Sequence, residues 1–185
     1  MQSRTIDACI SWELTGSVEQ SQQWVLSAMS AHGPVLVTML WRILGNEQDV
    51  CDAYQDTFLN LAHYRHGTKP GNIKAYLFRT AGNIAITMLR RKQIELRYTN
   101  ELKADIKNVG QKDHVKDFDA AQLRESLREH IARLPEELRE VIVLRDLAQM
   151  PYHQVAGMLG ITVASARVYR WRAIQLLSVW MDGAK

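Results

Sequence analysis

Arg167, Arg170 and Arg172 stand close together near the end of the chain, and from Leu147 to Met181 no acidic residue accompanies them. A guanidinium keeps its charge at every physiological pH and donates two hydrogen bonds from one planar fork, which suits phosphates and guanine edges. A second basic set, Arg65, Lys69, Lys74, Arg79, Arg90, Arg91 and Lys92, falls in a stretch from Thr57 to Ile94 that contains no acid. Immediately before it the sign is reversed: Glu47, Asp49, Asp52 and Asp56 occur with no lysine or arginine between Asn46 and Tyr64. These spacings describe recognition by charge. No nucleophile–base pair, phosphate loop or metal cluster is evident, so the expectation is a binding protein without enzyme activity, metal or cofactor. His63 and His66 lack further ligands, and Cys9 and Cys51 have no metal-like spacing and read as reduced thiols.

The elements that must position the arginines are written in the punctuation of Pro151 to Leu177. Pro151 suits the first turn of a helix, where its missing N–H has no intrahelical partner. Val155, Ala156 and Leu159 give that helix an apolar face, and Gly160 can take the left-handed conformation that ends it. Thr162 is a good N-cap for a second helix, with Ser165 three residues on. That helix carries Ala166, Tyr169, Ala173, Leu176, Leu177 and Trp180 on one face and leaves the arginines off it. The pattern is a helix-turn-helix, with Thr162, Ser165, Arg167, Arg170 and Arg172 as candidate DNA contacts.

Upstream, Trp24 to Leu44 is apolar with helical period, and Gly33-Pro34 predicts a break into two helices. A helix from about Glu47 to Leu61 places Asp49, Asp52 and Asp56 on one stripe opposite Val50, Ala53, Tyr54, Phe58 and Leu61. His63 to Lys74 reads as a loop. The helix beginning near Ile73 is expected to bury Leu77, Thr80, Ala81, Ile84, Ala85 and Met88 and to show Arg79, Asn83, Thr87 and Arg90 on the other face. A basic stripe beside aromatic Tyr76 and Phe78 suits single-stranded nucleic acid, held by phosphate contact and base stacking. Residues 93 to about 121 are charged, poor in large apolar residues and contain Gly110, as a linker would. Leu123, Leu127, Ile131 and Leu134 resume a helical spacing, and Leu134-Pro135-Glu136-Glu137 starts a further helix.

With 185 residues, 46% apolar, the chain can bury a core as one domain or two small ones. The net charge of +3 decides nothing by itself. No apolar run reads as long enough for a membrane span, and the N-terminus lacks a basic leader and an apolar signal core, so a cytoplasmic protein with no membrane insertion is expected.

The order of these parts resembles a bacterial extracytoplasmic-function sigma factor, the small type that keeps only the second and fourth sigma regions. Asp49 to Leu61, DVCDAYQDTFLNL, is similar to the family's acidic helix D-A-E-D-x-x-Q-E-x-F-L, with Asp49, Asp52, Gln55, Asp56, Phe58 and Leu59 on the pattern. Ile73 to Lys92 resembles A-W-L-x-R-I-A-R-N-x-x-x-D-x-x-R-R through Ala75, Leu77, Arg79, Ala81, Asn83, Arg90 and Arg91. LPEELREVIVLRDL resembles the L-P-x-x-x-R-x-V-x-x-L start of the fourth region, and Arg172-Ala173 the R-A near the end of its recognition helix. The departures are Tyr76 for Trp, Gly82 for Arg, Thr87 for Asp, Gln154 for Glu, and Val168-Tyr169-Arg170 for S-R-L.

The resemblance implies an all-α chain of two small helical domains joined by a flexible linker: a lead-in over 1–20, a region 2-like unit over 21–97, the linker over 98–121 and a region 4-like unit over 122–185. It implies that Asp49, Asp52, Gln55, Asp56 and Leu59 dock on core RNA polymerase, at the clamp helices of β′, and that the second unit meets the β flap. Arg65, His66, Lys69, Asn72, Lys74, Arg79, Asn83, Arg90 and Arg91 would hold the minus-ten element of promoter DNA, with the loop from Tyr64 to Asn72 capturing a flipped base. Thr162, Ser165, Arg167, Arg170 and Arg172 would contact the minus-thirty-five element. Members of this family often have an anti-sigma factor as a further partner. Two rivals remain: a helix-turn-helix regulator that acts without polymerase, and a sigma-like module that binds only proteins.

Overall fold

The computed structural model describes residues 23–64, 69–104 and 115–182. Among them every regular element is helical: α1 (Gln23–Leu44), α2 (Glu47–Ala62), α3 (Ile73–Ala104), α4 (Val115–Arg133), α5 (Glu136–Ile142), a π turn (Val143–Leu147), α6 (Tyr152–Leu159) and α7 (Val163–Asp182). The all-α expectation holds.

α1, α2 and α3 pack on one another around Leu36, Leu40, Val50, Tyr54, Leu61, Leu77 and Phe78, all essentially inaccessible to solvent. Contrary to the expected break, α1 is continuous through Pro34. The missing Pro34 N–H removes one helical hydrogen bond, a cost of about 3 kcal/mol. Burying Val25 and Ala28 before the proline, together with Leu36, Val37 and Leu40 after it, in the same core offsets that cost. Gly33 is required by the packing, since a Cβ there would lie 2.8 Å from the Tyr54 hydroxyl. By length and composition α1 could cross a membrane, which corrects the expectation that no segment reaches that size; nine of its residues are buried in the helical core.

Gly45, with φ of 77°, ends α1, and the Asn46 side chain caps α2 by accepting from the Asp49 N–H at 2.9 Å. Asn72 caps α3 in the same way, its Oδ1 accepting from Ala75 N–H at 2.9 Å. Residues 93–104, read as linker from their charge, continue α3, and α4 begins at Val115. Charged residues with good helix propensity extend a helix without a core to bury, and hydrophobic period alone misses them. Cys51 is disulfide-bonded, where a reduced thiol was expected; spacing along the sequence is silent about proximity in space.

In the second half, Pro135 precedes α5, and the chain then widens into an underwound π turn in which Ala148 N–H donates to Val143 O at 2.8 Å. Gln149 then takes φ of 56°. α6 and α7 follow the predicted punctuation: Gly160 has φ of 68° and ψ of 29°, and Ser165 N–H donates to Thr162 Oγ1 at 3.0 Å. α7 packs on α5, α6 and α4 through Ala166, Ala173 and Leu177. The two halves also meet, sharing one continuous core.

Candidate nucleic-acid interface and acidic docking face

The helix-turn-helix presents α7 because α6 and α5 cover only one side of it. Ala166, Ala173 and Leu177 are buried, while Thr162, Ala164, Arg167, Val168, Trp171 and Arg172 are exposed along the opposite side. The Thr162 hydroxyl is committed to capping and lies 2.9 Å from Ser165 Oγ. The Arg167 guanidinium lies over the Tyr152 ring, 5.6 Å from its centroid, and Arg145 is 4.9 Å from the same centroid. Tyr152 thus holds two cations at the mouth of the motif.

Arg170 is placed differently from its neighbours. Its Nε and Nη2 donate to both carboxylate oxygens of Asp146 at 2.8 to 3.0 Å, and that hydrogen bonding raises the guanidinium pKa still further. The fork ties α7 to the π turn, so Arg170 sits half-buried as a strut between elements, off the outer face. Tyr169 takes the inner position beside it. Sequence reasoning passed over Val168 and Trp171, 45% and 62% exposed, which share the outer face with Arg167. Their spacing from Ala164, at i+4 and i+7, opposite the apolar set, was the available signal.

On α2, Asp52, Gln55, Asp56 and Leu59 are exposed together. Asp49 is half-buried at the start of the same face, bonded to the Asn46 amide and 3.8 Å from Lys92 Nζ. An apolar Leu59, 53% exposed among carboxylates, gives this face both charge and a greasy contact.

The basic stripe of α3 adjoins it. Asn83, Arg90 and Arg91 are exposed, and Thr87 donates back to Asn83 O at 2.8 Å. Tyr76 Oη donates to Asn60 O at 3.1 Å, and its ring meets Tyr64 edge-on at 4.9 Å, fixing the start of α3 against the end of α2. Three of the predicted strand contacts are engaged by the second half of the chain. Arg79 pairs with Glu140 at 3.0 Å, Arg90 donates to Ala132 O, and Lys74 Nζ donates to Gln154 Oε1 at 2.8 Å. Lys69 is exposed, and Asn72, also exposed, is occupied as a cap. Arg65 and His66 lie outside the described residues. Among the described residues no cluster of His, Cys, Asp or Glu is arranged to hold a metal ion.

An all-α chain in which an acidic helix, a basic helix and a terminal helix-turn-helix succeed one another is a protein of the transcription apparatus in its class. Residues 28–94 match the family model described as Sigma-70 region 2, and residues 124–177 match Sigma-70, region 4. The chain belongs to the sigma-70 family, in its extracytoplasmic-function branch.

Among curated relatives, the chain is 24% identical over 166 residues to the ECF RNA polymerase sigma factor SigE of Mycolicibacterium smegmatis, covering 87% of this chain and 63% of that protein. It therefore spans less than two thirds of that relative's length. It is 22% identical to the RNA polymerase sigma factor SigV of Bacillus subtilis over 84% of this chain and 89% of the relative. The ECF sigma factor SigM of the same organism is 25% identical over 68% and 76%. In fold, the chain is similar to CnrH in its complex with the cytosolic domain of CnrY, with a TM-score of 0.51, 22% identity and coverage of 100% of this chain and 98% of that one.

Proposed function

We propose that this chain is an alternative sigma subunit that binds core RNA polymerase and directs it to promoters through both of its units. The observation that carries the reading is the order of the region 2 and region 4 matches along one chain, with an exposed acidic face on α2 ahead of the basic face of α3. Asp52, Gln55, Asp56 and Leu59 supply the polymerase contact, and Asp49 anchors the start of that face. A partner carrying basic residues around an apolar centre, such as the β′ clamp helices, complements it. Arg79, Asn83, Arg90 and Arg91 hold the opened minus-ten strand by its phosphates, and exposed α7 enters the minus-thirty-five major groove. The β flap is the corresponding partner of the second unit. Chemistry on the nucleic acid belongs to the polymerase; this chain binds and positions.

A protein partner that regulates the chain is part of the same proposal, since the structural relative CnrH was captured with the cytosolic domain of CnrY. A helix-turn-helix regulator acting without polymerase would leave the Asp52–Asp56 face of α2 without a role.

The test is binding to purified bacterial core polymerase in the absence of DNA. Wild type should co-elute with core, and Asp52→Arg should weaken the association by tenfold or more, because it reverses the charge at the centre of the exposed acidic face. Equal co-elution of the two proteins would remove α2 as the polymerase contact.

A further inference from the structure

Asp146 is the last acidic residue before Asp182, and the arginines between them, Arg167, Arg170 and Arg172, all stand on α7. They are not equivalent in space. Arg167 and Arg172 are exposed, whereas the Arg170 fork closes on both carboxylate oxygens of Asp146 at 2.8 to 3.0 Å. The Arg170 and Asp146 side chains remain 35% and 32% accessible, so the bridge lies at the border of the outer face of α7 and not in the core.

Arg167 and Arg170 are one turn apart on the same flank of α7, where like charges repel. The Tyr152 ring takes Arg167 at 5.6 Å and Arg145 at 4.9 Å from its centroid, and Arg145 is further tied down by donating to Met150 O at 3.0 Å. Tyr152 also stands near enough to Arg170 to add, behind Asp146, to the raising of its pKa. Three guanidinium groups thus crowd one tyrosine, and Asp146 is the carboxylate that meets them. A carboxylate gripped at both oxygens satisfies the same planar fork that would otherwise close on a phosphate. The bridge belongs to this sequence: where the family pattern reads S-R-L, this chain has Val168-Tyr169-Arg170, and Arg170 takes the place of the leucine.

We propose that Asp146 sets how strongly α7 grips DNA without regard to sequence: it holds Arg170 away from the phosphates and leaves the charge that the helix brings to the duplex to Arg167 and Arg172. The proposal rests on the reading of α7 as the helix that enters the major groove. Sequence-independent affinity comes from phosphates neutralised by cations, each adding about 0.9 to the slope of log K against log salt. Because nonspecific sites vastly outnumber promoters, a weaker general grip leaves more of the chain free to find them.

The full-length chain is titrated onto a fluorescein-labelled pool of random-sequence duplexes between roughly 50 and 200 mM KCl, with circular dichroism reporting helix content. Asp146→Asn should bind the pool several-fold tighter at the low end and steepen the salt slope by about one. Glu137→Gln removes an exposed acid on α5, away from this cluster, and should leave the slope as it is, which controls for net charge. The neutral pair, Asp146→Asn with Arg170→Gln, keeps the shape of the bridge and should return slope and affinity to wild type; it decides alone if the single variant loses helix. Arg167→Gln should lower the slope by about one. A slope for Asp146→Asn no steeper than for Glu137→Gln would overturn the proposal. So would a neutral pair whose slope falls about one below wild type, since Arg170 would then already meet a phosphate. Binding by Arg167→Gln equal to wild type would instead take α7 off the duplex, and the reading beneath the proposal would fail with it.

Discussion

Trp171 sits 62% exposed on the outer face of α7 beside Val168, between Arg167 and Arg172. In a major groove an indole flanked by guanidinium groups offers apolar contact to thymine methyls while the arginines take phosphates or guanine edges. Trp171→Ala should lower discrimination among minus-thirty-five sequences by roughly 1 kcal/mol, about fivefold, with little change in nonspecific affinity. Competition binding on a randomised duplex measures it, and unchanged sequence preference would place Trp171 outside the groove. Arg170 belongs to a different class, since its bidentate contact with Asp146 holds α7 in place. At the other end of the molecule, the Tyr54 hydroxyl is buried without a hydrogen-bond partner, and burial pushes its pKa up to about 12. The unfolded chain ionises this group near pH 10, so as pH rises from about 10 to 12 the unfolded state sheds its proton first and stability falls by ~2 kcal/mol. Urea unfolding across that range should show a shallower decline for Tyr54→Phe than for wild type; parallel curves would contradict the assignment.

Helix punctuation was the most legible part of the sequence, and two glycines of one motif show why. Gly160 takes a left-handed conformation at the end of α6, whereas Gly157 lies inside the helix, and a Cβ at either position meets nothing within 4 Å. Backbone conformation alone therefore separates them: Gly160→Ala should destabilise by about 1 kcal/mol or more, and Gly157→Ala should stabilise by about 0.5–1 kcal/mol. Thermal unfolding of the two variants should shift in opposite directions, and a shift of the same sign would contradict the turn geometry. The Thr162 cap and the apolar face of α7 were readable for the same reason, because each is a local requirement of the backbone. Pro34 misled because the usual cost of a proline inside a helix is outweighed by core burial on both sides of it, a tertiary effect invisible in the local pattern. The α3 extension over 93–104 misled in the opposite sense, being helical with Ile94, Leu96 and Tyr98 exposed. Arg170 looked like its neighbours because a chain position carries no record of a carboxylate 24 residues earlier.

At the scale of the whole molecule, charge is segregated along the chain, with acid on the outer face of α2, base on α3 as far as Lys92, and arginines on α7 with no acid before its last residue, Asp182. Segregation of this kind lets one chain bind a basic protein surface and a polyanion at once, each by its own element. The contacts between the units were beyond the reach of the sequence, since Arg79–Glu140 and Arg90–Ala132 join residues far apart in the chain. The most direct measurement is run-off transcription by bacterial core RNA polymerase on a pool of candidate promoters, supplied with wild type or Asp52→Arg. The account predicts specific initiation with wild type and loss of most of it with the variant. Failure of wild type to initiate on any promoter, together with failure to bind core or compete with another sigma, would contradict it and leave a DNA-binding regulator that acts without polymerase.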